Sequence, residues 1–126
     1  MMLSMRSEGR LHMAGNKYGA KKTTLPDGTR FDSHKEAHRY CELRMLEKAK
    51  RITNLRRQVK YVLLPAQRDA SGKLLEREVS YIADFVYYDF ALKQEIVEDC
   101  KGFRTDAYKL KKKMLLYFHG IQIRET

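Results

Sequence analysis

The chain has only two cysteines, Cys41 and Cys100, and no apolar run that approaches the length of a membrane span. Two cysteines are too few for a disulfide framework. With no export signal they read as free thiols in a reducing compartment, so a cytoplasmic protein is expected. The opening stretch MMLSMRSEGRLHM is polar and basic, without the continuous apolar centre of a secretory leader. There is no internal repeat, no low-complexity tract, no glycine-rich phosphate loop, no dinucleotide fingerprint and no Ser-His-Asp arrangement, which removes several large enzyme classes. Acidic residues are also in deficit: 16 Asp and Glu stand against 26 Lys and Arg, a net charge of +10. That imbalance attracts polyanions, nucleic acid first and acidic lipid second. A membrane surface would call for a basic amphipathic helix with a broad apolar face, and none is visible. At 126 residues, 43% of them hydrophobic, the chain is long enough for one core and too short for two.

Residues 1–15 read as a basic tail without fixed structure, and residues 16–126 as a single domain. Asn16–Lys22 interleaves basic and aromatic side chains, and Lys17, Tyr18, Lys21 and Lys22 suit contact with phosphates. Leu25-Pro26-Asp27-Gly28-Thr29 is turn chemistry. Ser33 with Glu36 three residues on has capping-box spacing and opens a helix expected to run to about Arg51. Ile52 to Leu64 reads as a strand closed by Pro65, and Asp69-Ala70-Ser71-Gly72 as a turn. A second strand is expected from Arg77 to Asp89 and a third from Gln94 to Lys101. Thr105 then caps a second helix, with Ala107, Leu110, Met114 and Phe118 on its expected core side and Gly120 at its end. Ile121 to Arg124 reads as a final strand. The order α-β-β-β-α-β predicts an α/β fold, a three-strand meander with a helical crossover that returns a fourth strand to one mixed sheet flanked by helices.

Two features stand out against this frame. Asp84 lies mid-strand, and strict alternation places it with Ile82 and Val86, with Ala83 and Phe85 on the other face. An acid among apolar side chains needs a partner, a proton or a cation. Asp99 and Lys101 share a face of the third strand while Glu98 points the other way. Asp99 and Lys101 alone read equally well as a structural ion pair. If the second and third strands are neighbours, however, Asp84 and Asp99 meet. Two carboxylates, a backbone carbonyl such as that of Cys100, and waters suit Mg²⁺, with Mn²⁺ a substitute. A lysine beside them suits water positioning and charge stabilisation.

The pattern Asp84…Asp99-x-Lys101, with the element order above, resembles the signature of the PD-(D/E)XK nuclease superfamily, whose core is restriction-endonuclease-like. NKYGAKK, DGTRFDSHKEAHRY, YIADFVY, VEDCKG and TDAYKLKKK further resemble a small phage-associated family suspected to be endonucleases and formerly grouped as a domain of unknown function. Ala83 stands where the superfamily signature often has Pro. The resemblance implies that Asp84 and Asp99 bind metal, that Lys101 positions or helps activate the attacking water, and that Glu36 completes the catalytic set. Ser33 and Glu36 also form a capping box by themselves, so Glu36 has two readings. Gln58 either orients a water or phosphate or is a plain sheet-edge residue. Tyr108, Lys109, Lys111 and Lys112 on the second helix either contact phosphates or form a solvated face.

The resulting expectation is a Mg²⁺-dependent DNA endonuclease in a bacterium or phage-infected cell, and the family resemblance implies 5′-phosphate and 3′-hydroxyl ends. By fold analogy, its substrate extends to branched DNA of the Holliday-junction kind, which would require a homodimer. The rival from another class is a non-catalytic DNA-binding accessory protein of phage replication or packaging. His34, His38 and Cys41 share a helical face, but no second ligand pair exists to complete a zinc site.

Overall fold

The computed structural model describes the short strand Met2–Leu3 and residues 22–126. Met2–Leu3 (β1) pairs antiparallel with Thr23–Thr24 (β2), which pairs with Arg30–Phe31 (β3). Within the expected tail of residues 1–15, Met2–Leu3 pairs with the open edge of β2, and the others lie outside the described residues. Residues 4–21, which include Lys17, Tyr18 and Lys21, lie outside the described residues. The turn between β2 and β3 is the Pro-Asp-Gly segment: Gly28 adopts φ 92° and the Asp27 carboxylate accepts the Thr29 N–H at 2.9 Å.

Helix α1 spans His34–Lys48, and Ser33 Oγ accepts the Glu36 N–H at 3.1 Å. Only half of the capping box forms, because the Glu36 side chain points instead to Gln58. The strands β4 (Ile52–Leu64), β7 (Val79–Asp89) and β8 (Gln94–Asp99) form the expected antiparallel meander. The polar excursion between β4 and β7 is a two-stranded ribbon, β5 (Gln67–Arg68) with β6 (Leu74–Glu76), around the Asp69–Gly72 turn. Helix α2 spans Asp106–His119, capped by Thr105 and closed by Gly120 at φ 67°. It carries the chain to β9 (Arg124–Glu125), which lies parallel to β8, so the sheet order is β4-β7-β8-β9. The fold is α/β, as the element order predicts. No helix of the described residues is long and apolar enough to cross a membrane.

The helices cover opposite faces of the sheet. Ala37 and Leu43 of α1 pack with Phe85, Tyr87 and Ile96, while Tyr108 and Leu115 of α2 pack with Val86, Val97 and Ile123. The core side of α2 differs from expectation: Leu110 and Phe118 are exposed, and Tyr108 and Leu115, seven residues apart, are buried. Lys111 and Lys112 lie between them in the sequence and are half-buried.

Alternation along β4 and β7 is not uniform. Leu55 and Arg57 lie on the α1 side, yet Val59, Tyr61 and Leu63 pack on the α2 side, although all five are odd-numbered. On β7, Tyr81 and Ala83 face α2, while Phe85 and Tyr87 face α1. Both strands exchange faces at one level. Arg57 pairs with Phe85 and Val59 with Ala83, which sets Gln58 opposite Asp84. Gln58 adopts φ 53°, a left-handed conformation that costs a non-glycine residue about 1–2 kcal/mol. The expected grouping is corrected accordingly: Ala83 and Phe85 look to opposite faces, and Ile82 is exposed rather than inside with Asp84.

Candidate active site

The site forms where β8 parts from β7. The ladder between these strands ends at Phe85 and Glu98, and Asp84 and Asp99 are the next residues on either side. Where the ladder would continue, the Cys100 N–H donates to Asp84 Oδ2 at 2.9 Å, a side chain standing in for a strand carbonyl. Asp99 is buried, and the Tyr81 hydroxyl donates to its Oδ2. Asp99 Oδ1 is also buried but accepts no hydrogen bond among the described residues. Lys101 Nζ lies 3.3 Å from it, close enough for an ion pair without hydrogen-bond geometry. From α1, the buried Glu36 presents its carboxylate beside the strands, and the Gln58 amide donates to Glu36 Oε2 at 3.3 Å. The first turn of α1 is also tied here by Lys35, whose ammonium donates to the Lys101 carbonyl at 3.2 Å.

Asp84, Asp99 and Glu36 thus each give one oxygen to the scaffold. The charge they gather is only partly offset. Burial, followed by the neighbouring charges of Asp99 and Glu36, pushes the Asp84 carboxyl up to about 8. Burial likewise raises Glu36, against the opposing pull of Arg57. Tyr81 is held far above the ordinary phenol range, by burial first and by its bond to Asp99 second, so it is a neutral donor. Burial pushes the Cys100 thiol up to about 11, which makes it a poor nucleophile.

A hard divalent cation fits this chemistry. Asp99 Oδ1 has the Lys101 ammonium at ion-pair distance but accepts no hydrogen bond among the described residues, and neighbouring carboxylates favour a proton or a cation between them. Among the described residues no three His, Cys, Asp or Glu side chains are arranged to hold a metal together. A cation here would rest on Asp84 and Asp99, with the Cys100 carbonyl and water completing its shell, an arrangement suited to Mg²⁺ and not to zinc.

The structure brings Glu36, Gln58, Asp84, Asp99 and Lys101 to one place, from α1, the strands β4, β7 and β8, and, for Lys101, the segment just after β8, which ends at Asp99 and not at Lys101 as expected. It treats the α2 residues differently. Tyr108 is buried and donates its hydroxyl to Glu125 Oε2 at 2.7 Å, which corrects the expectation that it contacts phosphate. Lys112 Nζ lies 3.2 Å from the same carboxylate. Lys109 and Lys22 are exposed, and Lys111 is half-buried. Tyr81 and Glu125 are not legible as site residues in the sequence: a tyrosine in a strand reads as core, and Glu125 acquires meaning only through its partners Arg104, Tyr108 and Lys112.

Fold and site together define a mixed α/β protein with a carboxylate-lysine cluster at the point where two strands diverge. Residues 15–124 match the family described as protein of unknown function (DUF1064), and the chain belongs to that family. No curated protein and no solved structure matches it.

Proposed function

We propose that the protein is a metal-dependent DNA endonuclease of the PD-(D/E)XK type. The observation that carries this reading is the convergence of Asp84, Asp99 and Lys101 at one strand divergence, with a buried Asp99 oxygen that has no hydrogen-bond donor among the described residues. A buried carboxylate with an unmet oxygen is costly in a protein that only binds DNA. In a hydrolase it is the place where a cation sits.

Mg²⁺ held by Asp84, Asp99 and the Cys100 carbonyl would supply positive charge against the charge that develops on the phosphate oxygens, and Mn²⁺ would substitute. Lys101 holds the attacking water in line with phosphorus and donates to a non-bridging oxygen as the transition state forms. Water oxygen bonds to phosphorus as one of its O–H bonds breaks and that proton passes to solvent, the bond from phosphorus to the 3′ oxygen breaks, and that oxygen takes up a proton from solvent. The products are a 5′-phosphate and a 3′-hydroxyl. Glu36, held by the Gln58 amide at 3.3 Å, would complete the acidic set beside Asp84, and Gln58, opposite Asp84, would orient a water or phosphate there. Lys22, Lys35 and Lys109 add exposed positive charge for the backbone. Extension to four-way junctions, with two copies acting together, is the further part of this reading.

The test is incubation of the full chain with linear, nicked, flapped and four-way DNA in Mg²⁺, Mn²⁺ or EDTA. Metal-dependent cleavage that disappears in Asp84→Asn and Asp99→Asn is expected. DNA binding without cleavage under every condition would establish the accessory-protein reading instead.

A further inference from the structure

We propose that Tyr108 is a positioning residue for Lys101, its aromatic face seating the lysine ammonium at the site. This rests on the nuclease reading above. A lysine has a long flexible stem with many rotamers, so a working geometry needs more than one restraint. Two are present. Lys101 Nζ is 3.3 Å from Asp99 Oδ1 and 4.3 Å from the centroid of the Tyr108 ring. The second distance is well inside the range in which a ring face attracts a cation.

The ring is itself fixed. Tyr108 is buried, and its hydroxyl is bonded to Glu125, which Arg104 Nη2 holds at 2.7 Å and Lys112 at 3.2 Å. It also packs against the Tyr81 ring at a centroid distance of 6.4 Å, and the Tyr81 hydroxyl holds the other oxygen of Asp99. Asp99, Lys101, Tyr108 and Tyr81 therefore close on one another in a ring, latched from outside by the C-terminal strand. The two restraints on Lys101 differ in one respect. A cation bound to Asp99 weakens that residue's pull on the lysine, whereas the ring's attraction persists. Tyr108 thus keeps the ammonium near the reacting phosphate when the ion pair is relaxed.

The experiment replaces Tyr108 in the full chain with Phe, with Leu and with mono-, di- and trifluorinated phenylalanine, which keep ring shape while draining the negative face. The first readout needs no activity: the Lys101 ε-methylene proton shifts in lysine-labelled protein. Upfield ring-current shifts in wild type and Tyr108→Phe, lost in Tyr108→Leu, are expected. The second readout is cleavage. Tyr108→Phe should stay within about threefold of wild type. Tyr108→Leu should lose roughly tenfold in kcat with KM within about twofold, and the fluorinated series should fall stepwise from Phe. Absence of the ring-current shift overturns the proposal, and so does a cleavage rate that is flat across the fluorinated series. The fluorinated variants keep the test decisive even if Tyr108→Leu does not fold. If wild type cuts no DNA while the ring-current shift is present, the nuclease reading falls and the seating of the ammonium stands.

Discussion

Glu98 and Asp99 are neighbours on β8, both buried, and they point to opposite faces of the sheet. Glu98, on the α1 side, is fully partnered. Arg39 Nε and Nη2 donate to its two oxygens at 2.6 and 2.9 Å, and the Tyr87 hydroxyl donates at 2.6 Å. Arg124 in turn donates to that hydroxyl at 3.2 Å. Asp99, on the α2 side, has one hydroxyl donor and a lysine at ion-pair distance, and among the described residues one of its oxygens goes without a hydrogen bond. Two acids one residue apart thus have opposite designs. A carboxylate that serves the fold is closed by donors of matching geometry. A carboxylate left open inside a protein points to a ligand or a reaction.

The largest effect that sharpens this contrast is on turnover. Lys101→Ala is expected to slow DNA cleavage by about 10²–10³ while leaving DNA and metal binding nearly unchanged, as removal of an interaction that strengthens in the transition state should. Lys101→Arg should not restore the full rate, since a planar fork does not replace a compact charge. Cleavage by purified variants, with circular dichroism as the check on folding, decides it; a wild-type rate from folded Lys101→Ala would make Lys101 a structural residue.

The next effect is on stability and separates the two acids directly. Glu98→Ala leaves Arg39 and Tyr87 without their acceptor and is expected to cost about 3 kcal/mol, the lower end for a broken buried pair because Arg39 is 22% exposed and can rehydrate. Asp99→Asn keeps an acceptor for Tyr81 and relieves crowding of negative charge, so its cost should stay within about 1 kcal/mol. Urea unfolding of both variants measures this. Equal losses would erase the distinction between a closed and an open carboxylate.

A smaller effect appears in pH dependence. Burial, then the neighbouring charges of Asp99 and Glu36, push the folded Asp84 carboxyl from an ordinary 3.8 up to about 8. Between these values the folded state holds a proton that the unfolded chain has released. Asp84's contribution to metal-free stability is therefore full below about pH 4 and is lost as pH rises through 8. Asp84→Asn should flatten that decline and raise the metal-free melting temperature at pH 8 by on the order of 5 °C. Added Mg²⁺ should do the same for wild type. Thermal melts from pH 5 to 8 in EDTA, and again in Mg²⁺, provide the check; an unchanged slope in the variant would show that Asp84 does not carry the proton. The smallest effect concerns the surface. Changing the exposed Lys109 and Lys113 to Ala should reduce the salt slope of DNA binding by roughly 1–2 units, about 0.9 for each phosphate no longer neutralised.

Much of the fold is readable from the order of residues. Thr105 and Gly120 bracket α2, Ser33 opens α1, and β4 runs from Ile52 to Leu64 as its residues and the following proline indicate. Caps, turns and strand composition act over a few residues, so local chemistry suffices to place them. The pairing of Asp84 with Asp99 is also legible, because the spacing of the strands and the two-residue step from Asp99 to Lys101 limit what can meet. The face exchange is not. Strict alternation fails at Gln58 and Asp84 because a left-handed residue in β4 turns both strands over together, and nothing in the glutamine itself announces it. The buried side of α2 escapes a sequence reading for a related reason. Leu110 and Phe118 have the composition of a core face, but Tyr108 and Leu115 are the residues the sheet covers, and only the packing of α2 on the sheet decides which side is inside. The sequence by itself determined the elements, their order, the excess of positive charge and the acids and lysine available for chemistry. Tertiary structure alone decided which buried acid would be closed by Arg39 and which left open, since a hydrogen bond depends on where two side chains arrive in space and those partners are 59 residues apart in the chain.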